Sequence, residues 1–188
     1  LRWSKKRGVK VVTVFGFSSE NWKRPQDQVD FLMQVFETYL EKGIEVFNQE
    51  GVRVKVIGQK YKLSDSLKAV IEKVEEATKN NIALHLNLAV SYGGRWDIIN
   101  AVKELIKQGI DPELLTEDIF ASHLSTAGLP EPDLIIRAGG EMRLSNFVLW
   151  QGAYSELYFS DKLWPDFSEQ DLDLALNEFD QRTRRFGK

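Results

Sequence analysis

Short apolar runs alternate with amphipathic segments through almost the whole chain, and the runs are short and β-branched enough to be strands. The stretches between them are long enough to carry helical crossovers. Together these features predict an α/β fold, a single domain with a mostly parallel central β-sheet and helices on both faces. A length of 188 residues fits one domain spanning 1–188. The composition, 43% hydrophobic and 28% charged, is that of a globular chain, and no apolar run reaches the roughly 18 residues of a membrane span. No signal peptide is visible. A formal net charge of -3 leaves no nucleic-acid footprint, so any anion site must be local. The absence of cysteine excludes disulfides and thiolate-bound metals.

The elements follow in order. Val9–Phe17 is β-branched and aromatic, which predicts a strand. From Gln26 to about Gln49, Val29, Leu32, Met33, Phe36, Leu40 and Phe47 recur at helical spacing. Val52–Ile57 reads as a strand. Ser64 to about Lys79 reads as a helix with Leu67, Val70, Ile71 and Val74 inward. Ala83–Val90 is a strand, followed by a helix from about Arg95 to Lys107 and a shorter one over Glu117–Leu124. Leu134–Ile136 and Leu157–Phe159 supply two more strands, and Ser168 is a plausible N-cap for a last helix to about Phe186. In the long helix, Phe31, Val35 and Tyr39 add apolar bulk off the main stripe. A helix apolar on two faces must bury two surfaces, against a sheet and against either a second helix or an apolar ligand channel.

The residues that carry chemistry cluster at strand ends. Arg137-Ala-Gly-Gly-Glu-Met-Arg-Leu-Ser-Asn-Phe147 leaves a buried strand at the carboxyl edge of a sheet, where open α/β folds bind ligands. Gly139 and Gly140 permit a sharp turn. Arg137, Arg143 and Ser145 can converge on one oxyanion, because guanidinium forks match phosphate geometry. Diphosphate binding is the chemistry this suggests, with an ordinary loop and two solvated arginines as the alternative. Phe17-Ser-Ser-Glu-Asn-Trp-Lys-Arg-Pro25 sits at another strand end. Ser18 and Asn21 are neutral hydrogen-bonding groups, Arg24 lies near a helix N-terminus that favours an anion, and Phe17 and Trp22 offer apolar surface. The alternative makes Ser18 and Asn21 turn formers and Trp22 a core anchor.

Tyr92-Gly-Gly-Arg95 resembles a phosphate-cradling turn, although Gly-Gly at such a turn often serves backbone geometry alone. Glu156, with Glu141, could help to hold magnesium, which takes oxygen ligands from few carboxylates and from substrate phosphates. His85 and His123 have no second histidine at ligand spacing and read as structural. A Gly-x-Ser-x-Gly elbow is absent, so a Ser-His-Asp hydrolase has no support.

These runs, taken with Tyr92–Ile98, Leu149-Trp-Gln151, Tyr154-Ser-Glu-Leu-Tyr-Phe159, Leu163-Trp-Pro-Asp-Phe167 and Arg184-Arg-Phe-Gly187, resemble the cis-prenyltransferase family (undecaprenyl diphosphate synthase-like) in order and spacing. The resemblance implies an enzyme that extends an allylic diphosphate, such as farnesyl diphosphate, with isopentenyl diphosphate and magnesium, forming a cis double bond each round. It implies that Arg137, Arg143 and Ser145 hold the diphosphate of isopentenyl diphosphate. Asn21 and Ser18 then sit at the reacting centre as catalytic residues, Phe17 and Trp22 contact substrate, and Arg24 joins the same polar shell. Glu156 matches the family's metal-associated carboxylate. Arg185 and Gly187 match an Arg-x-Gly that reaches a partner subunit's site, which implies a homodimer. The long helix then walls an apolar product tunnel.

Departures from the pattern are equally plain. Family members begin with Asp-Gly-Asn-Gly-Arg-Trp, whose aspartate holds magnesium and whose loop cradles the allylic diphosphate. This sequence starts at Leu1-Arg-Trp-Ser, inside the helix expected before the second strand, and no Asp-Gly-Asn-Gly precedes Arg2-Trp3. The expectation is that the segment is omitted here; the alternative is a non-catalytic partner subunit. Gly16 stands where alanine is common and Met142 where some members carry a histidine. A short-chain or irregular prenyl diphosphate synthase on the same fold is a further alternative. The expected location is cytoplasmic, with peripheral membrane association through a greasy product, and an organelle such as a plastid is compatible with the sequence.

Overall fold

A computed structural model describes residues 1–182. The chain divides into two compact units, Leu1–Leu129 and Pro130–Lys188. Every strand pairing among the described residues is parallel, as the crossover lengths required, but the pairs fall into two hydrogen-bonded groups.

The first unit holds a three-stranded sheet, β1 (Val11–Ser18), β2 (Val52–Ile57) and β3 (Leu84–Tyr92), in the order β1-β3-β2. Its helices are α1 (Arg2–Lys6), α2 (Gln26–Gln49), α3 (Asp65–Thr78), α4 (Gly94–Lys107) and α5 (Glu117–Ala121). Alternation decides which sheet face is apolar. Val52, Val54 and Val56 of β2 are buried while Arg53 and Lys55 are exposed, and Leu84 and Leu86 of β3 continue the apolar face. That face forms one core with Val29 and Leu40 of α2 and Leu67, Val70, Ile71 and Val74 of α3. Each such side chain contributes about 1.5–3 kcal/mol when fully buried. The start of α3 is fixed by Ser64, whose hydroxyl accepts the Leu67 N–H at 3.2 Å. Thr78 at its other end donates to the Val74 carbonyl and accepts the Val54 N–H at 3.1 Å, which ties the helix to β2.

Here the second apolar face of α2 departs from expectation. Phe31 is 63% and Tyr39 73% exposed, so this bulk is not buried within the chain. Only the stripe through Leu32, Met33 and Phe36 packs on the core, because α3 and β2 occupy one side of α2.

β1 and β3 do not run in a single register. Phe15 pairs with Ala89, Phe17 with Val90, and Ser18 with Tyr92. Gly16 is therefore extra on β1, and Ser91 extra on β3, two bulges that cancel. The ladder is distorted at the end of the sheet from which the Ser18–Arg24 segment departs.

The second unit pairs β4 (Leu134–Ala138) with β5 (Glu156–Ser160) and adds α6 (Glu169–Gln181). Ser168 caps α6 as expected. Its hydroxyl accepts the Asp171 N–H, while the Asp171 carboxylate accepts the Ser168 N–H at 2.7 Å. Lys162 pairs with the same carboxylate at 2.7 Å. Lys162, then Ser168, holds the Asp171 carboxyl down at about 2. The expected extension of α6 to Phe186 runs beyond the described residues.

Boundaries differ little from the sequence reading. β1 starts two residues later, β4 and β5 extend further, and α5 stops at Ala121 rather than Leu124. Short 3-10 turns at Ser19–Lys23, Lys60–Lys62, Pro112–Leu114 and Trp164–Asp166 were not foreseen, since a single turn leaves no periodicity to detect. No helix among the described residues is long and apolar enough to cross a membrane.

Candidate active site

The segment after β1 is built on the core. Phe17 is 1% exposed and meets the half-buried Trp22 edge-on, with ring centroids 5.1 Å apart. Asn21 closes the 3-10 turn on itself, its side-chain oxygen accepting the Ser18 N–H at 2.9 Å. This fixes the amide by its oxygen, and its nitrogen remains a donor group. The Trp22 indole Nε1–H donates to the Ser91 hydroxyl at 2.7 Å. Arg24, exposed at the start of α2, lines an open hollow of about 340 Å3 with Asp27, Gln28, Phe31 and Leu32. A cation and one apolar ring, Phe31, thus share the recess, whereas Phe17 and Trp22, the apolar surface expected from the sequence, are not among its lining residues.

The turn after β3 proves largely structural. Tyr92 is fully buried, and its hydroxyl donates to Asp97 at 2.9 Å. Asp97, itself 1% exposed, also accepts the Ser125 N–H at 2.9 Å and the Ser125 hydroxyl at 2.6 Å. The Tyr92–Asp97–Ser125 network anchors the start of α4, a buried polar network with its acceptors satisfied. Asp97 was not singled out from sequence; an aspartate in the first turn of a helix was its only signal.

In the second unit the segment after β4 is presented by backbone conformation rather than by burial. Arg137 is the fourth residue of β4 and half-buried, and Arg143 and Ser145 are exposed. Gly139 and Gly140 have φ of 97° and 72°, which confirms the turn they were expected to allow. Their N–H groups donate to the Lys162 and Ser160 carbonyls at 2.8 and 2.9 Å, so they brace the loop rather than face a ligand. Ser145, Asn146 and Val148 follow at φ of 49°, 64° and 34°. A left-handed valine is an outlier among non-glycine residues, and such strain persists only where surroundings over-determine it. Arg143 pairs with Glu141, two residues away.

Glu156 opens β5 and is claimed by Arg182, whose Nη1 lies 2.7 Å from its carboxylate and also reaches the Leu157 carbonyl at 3.0 Å. Glu156, then Glu178, raises the Arg182 pKa. Arg182 was missed from sequence, where it reads as one more cation in an Arg-rich end. Arg185 and Gly187 lie outside the described residues.

No group of three or more His, Asp or Glu gathers among the described residues to hold a metal. Glu156 alone, shared with Arg182, does not make a magnesium cage, and Glu141 is paired with Arg143. The donor set fits at most an ion that brings phosphate oxygens with it. Neither histidine is a ligand candidate. His123 bonds the Ile119 carbonyl and Gln108, and burial, followed by the charge of Arg53, lowers the His85 pKa.

Comparison with known proteins finds similarity along nearly the whole chain. Residues 1–187 match the family model of the undecaprenyl diphosphate synthase prenyltransferases. The chain is 49% identical over 183 residues to an isoprenyl transferase of Neisseria gonorrhoeae, covering 97% of this chain and 73% of that protein. It is 48% identical over 184 residues to the ditrans,polycis-undecaprenyl-diphosphate synthase ((2E,6E)-farnesyl-diphosphate specific) of Legionella pneumophila, covering 96% and 77%. Among solved structures, a probable undecaprenyl diphosphate synthase from Campylobacter jejuni superposes with a TM-score of 0.91 at 38% identity, over 100% of this chain and 88% of that one. Lavandulyl diphosphate synthase from Lavandula x intermedia, in complex with dimethylallyl diphosphate, does so with a TM-score of 0.94 at 38% identity, over 100% and 83%. The chain belongs to the undecaprenyl diphosphate synthase family of prenyltransferases.

Proposed function

We propose that this chain is a cis-prenyltransferase that condenses isopentenyl diphosphate with an allylic diphosphate such as farnesyl diphosphate. The observation that supports this most is the near-full-length similarity to an enzyme named for making undecaprenyl diphosphate from farnesyl diphosphate. It is joined by two strand-end segments of suitable chemistry, one in each unit. In the reaction a carbon–carbon bond forms between the allylic carbon and the isopentenyl unit, the diphosphate group of the allylic partner leaves with the electron pair of the broken C–O bond, and the isopentenyl unit loses one proton. Arg137, Arg143 and Ser145 hold the isopentenyl diphosphate, since fixed guanidinium groups bind phosphate bidentately. On binding, phosphate replaces Glu141 as the partner of Arg143.

Asn21, with its oxygen committed to the Ser18 N–H, offers its amide nitrogen to the departing phosphate, and Ser18 accompanies it at the reacting centre. Trp22 and Phe17 shape the apolar side, and Arg24 adds charge at the mouth. Magnesium belongs to the proposal as a companion of the diphosphate, with Glu156 its ligand from the described residues; when bound it offsets phosphate charge. In this reading α2 walls the product channel with the apolar face that carries Phe31, Val35 and Tyr39. Two chains form a homodimer in which Arg185 and Gly187 reach the partner. Greasy products draw the protein to a membrane surface from the cytoplasm.

The test is an assay of the purified complete gene product with farnesyl diphosphate, isopentenyl diphosphate and magnesium. A cis-polyprenyl diphosphate is expected. Absence of turnover by the protein alone refutes this reading in favour of a partner subunit. The likeness to lavandulyl diphosphate synthase supports a second reading, an irregular or short-chain coupling on the same fold. Chromatography of the product separates the two.

A further inference from the structure

Ser91 sits in β3 beside the Tyr92-Gly-Gly-Arg95 turn, a motif the reaction leaves without a role. It is fully buried, lies in the left-handed region at φ 54°, and is the extra residue of a bulge. A serine has no intrinsic preference for that conformation, so the surroundings must impose it. They do so from β2. Gly58, at φ 125°, packs so closely that a Cβ there would stand 2.0 Å from the Val90 carbonyl oxygen. The next residue, Gln59, donates its N–H to the Ser91 carbonyl at 3.0 Å.

The outcome of this arrangement is a single aimed group. Bulges beside functional sites turn a side chain away from the direction that strand alternation would give it. Here the turned side chain is the Ser91 hydroxyl, and it accepts the Trp22 indole Nε1–H at 2.7 Å across 69 residues of sequence. Trp22 has its ring edge against Phe17, so the hydrogen bond and the aromatic contact together fix its plane. Loss of either would leave the indole free to swing.

We propose that Ser91 is a positioning residue that holds Trp22 as a fixed apolar wall for the allylic substrate. This rests on the prenyltransferase reading, in which the Ser18–Arg24 segment handles the allylic partner and the Arg137–Ser145 segment the isopentenyl diphosphate. A hydroxyl that acts only through Trp22 must therefore affect one substrate and spare the other.

Three variants test it. S91A removes the acceptor; S91G removes it while relieving the left-handed backbone; S91N restores an acceptor on a residue that tolerates positive φ. The expected result is a fall of about tenfold in kcat/KM for farnesyl diphosphate in both S91A and S91G, the size of one lost hydrogen bond. KM for isopentenyl diphosphate stays within about twofold, and S91N recovers most of the loss. Nuclear magnetic resonance of the indole N–H groups gives a readout independent of turnover. The Trp22 indole proton should shift upfield and exchange faster in S91A and S91G, and return in S91N. An unmoved indole signal in folded S91G overturns the pinning. A moved signal with unchanged farnesyl diphosphate kinetics overturns the positioning role. A parent protein that turns over no prenyl substrate, with the indole shifts as expected, refutes the functional reading and leaves the pinning established.

Discussion

After β1, Phe17 lies in the core, Asn21 closes its own turn and Trp22 is hydrogen-bonded to a buried serine. After β4, Arg143 and Ser145 stand exposed on a loop shaped by two glycines and by three left-handed non-glycine residues. One polar segment is held by burial and the other by backbone conformation. The first suits a substrate whose apolar body must meet a fixed wall. The second suits a charged headgroup, which needs accessible cations on a shaped backbone more than a dry pocket. The difference teaches that changes in the buried framework of the first segment will be felt in stability as well as turnover, and changes in the second chiefly as lost affinity.

The sharpest way to break this contrast is to insert the same methyl group against the strand that carries Ser91, the support of Trp22, and into the loop after β4. Gly58→Ala places a Cβ 2.0 Å from a backbone carbonyl oxygen at a φ of 125°, where nothing flexible can yield. We expect a loss of about 4 kcal/mol or failure to fold. Gly139→Ala meets no atom within 4 Å, so only its φ of 97° is penalised, at about 1–2 kcal/mol. Chaotrope unfolding of both variants checks the pair. A comparable midpoint for the two would end the distinction.

Next in size is affinity. Arg137→Ala and Arg143→Ala should each lose about 1.5–3 kcal/mol of charge-assisted binding, seen as a ten- to hundredfold fall in kcat/KM for isopentenyl diphosphate. The unfolding midpoint of Arg143→Ala should hardly move, because its partner Glu141 is an exposed neighbour and such pairs stabilise little. Unchanged kinetics in both variants would remove the ground for the anion site.

How much of this could be read from the chain varies with the physics involved. α2 and β2 are found at the expected residues because a long 3.6 period and a clean alternation survive in one dimension. Arg137, Arg143 and Ser145 stand out as candidates in the sequence because cations and hydroxyls bunch beside glycines. Ser91 does not, since a bulge depends on two strands slipping against each other, and nothing in Val90-Ser91-Tyr92 announces it. Arg182 was hidden for a similar reason: it meets Glu156 across 26 residues. The exposure of Phe31 and Tyr39 also escaped, because spacing shows that a helix has two apolar faces but not whether the chain covers both.

The α6 cap offers a smaller effect. Ser168→Ala removes the hydroxyl that accepts the Asp171 N–H and should cost about 1 kcal/mol. Thermal unfolding checks this; the kinetics for isopentenyl diphosphate should be spared, since the Lys162 carbonyl that braces Gly139 is untouched.

The smallest effects are acid dependences, and they should separate the two units by pH. His85 has a folded pKa below its ordinary 6.5, chiefly through burial, so the unfolded chain takes up the proton first. Stability of the first unit should fall as pH drops below 6.5, until the folded-state pKa is passed. Asp171 is depressed from 3.8 to about 2 by Lys162 and Ser168. Its contribution is complete above pH 4 and disappears as pH falls from 4 to 2. His85→Gln should therefore flatten the slope just below pH 6.5, and Asp171→Asn the slope below pH 4. Hydrogen exchange resolved by segment, followed from pH 7 to pH 3, measures both. Protection lost in β3 before α6 is the expected order, and the reverse order would show that burial of a histidine and pairing of a carboxylate do not set the acid limits of these regions.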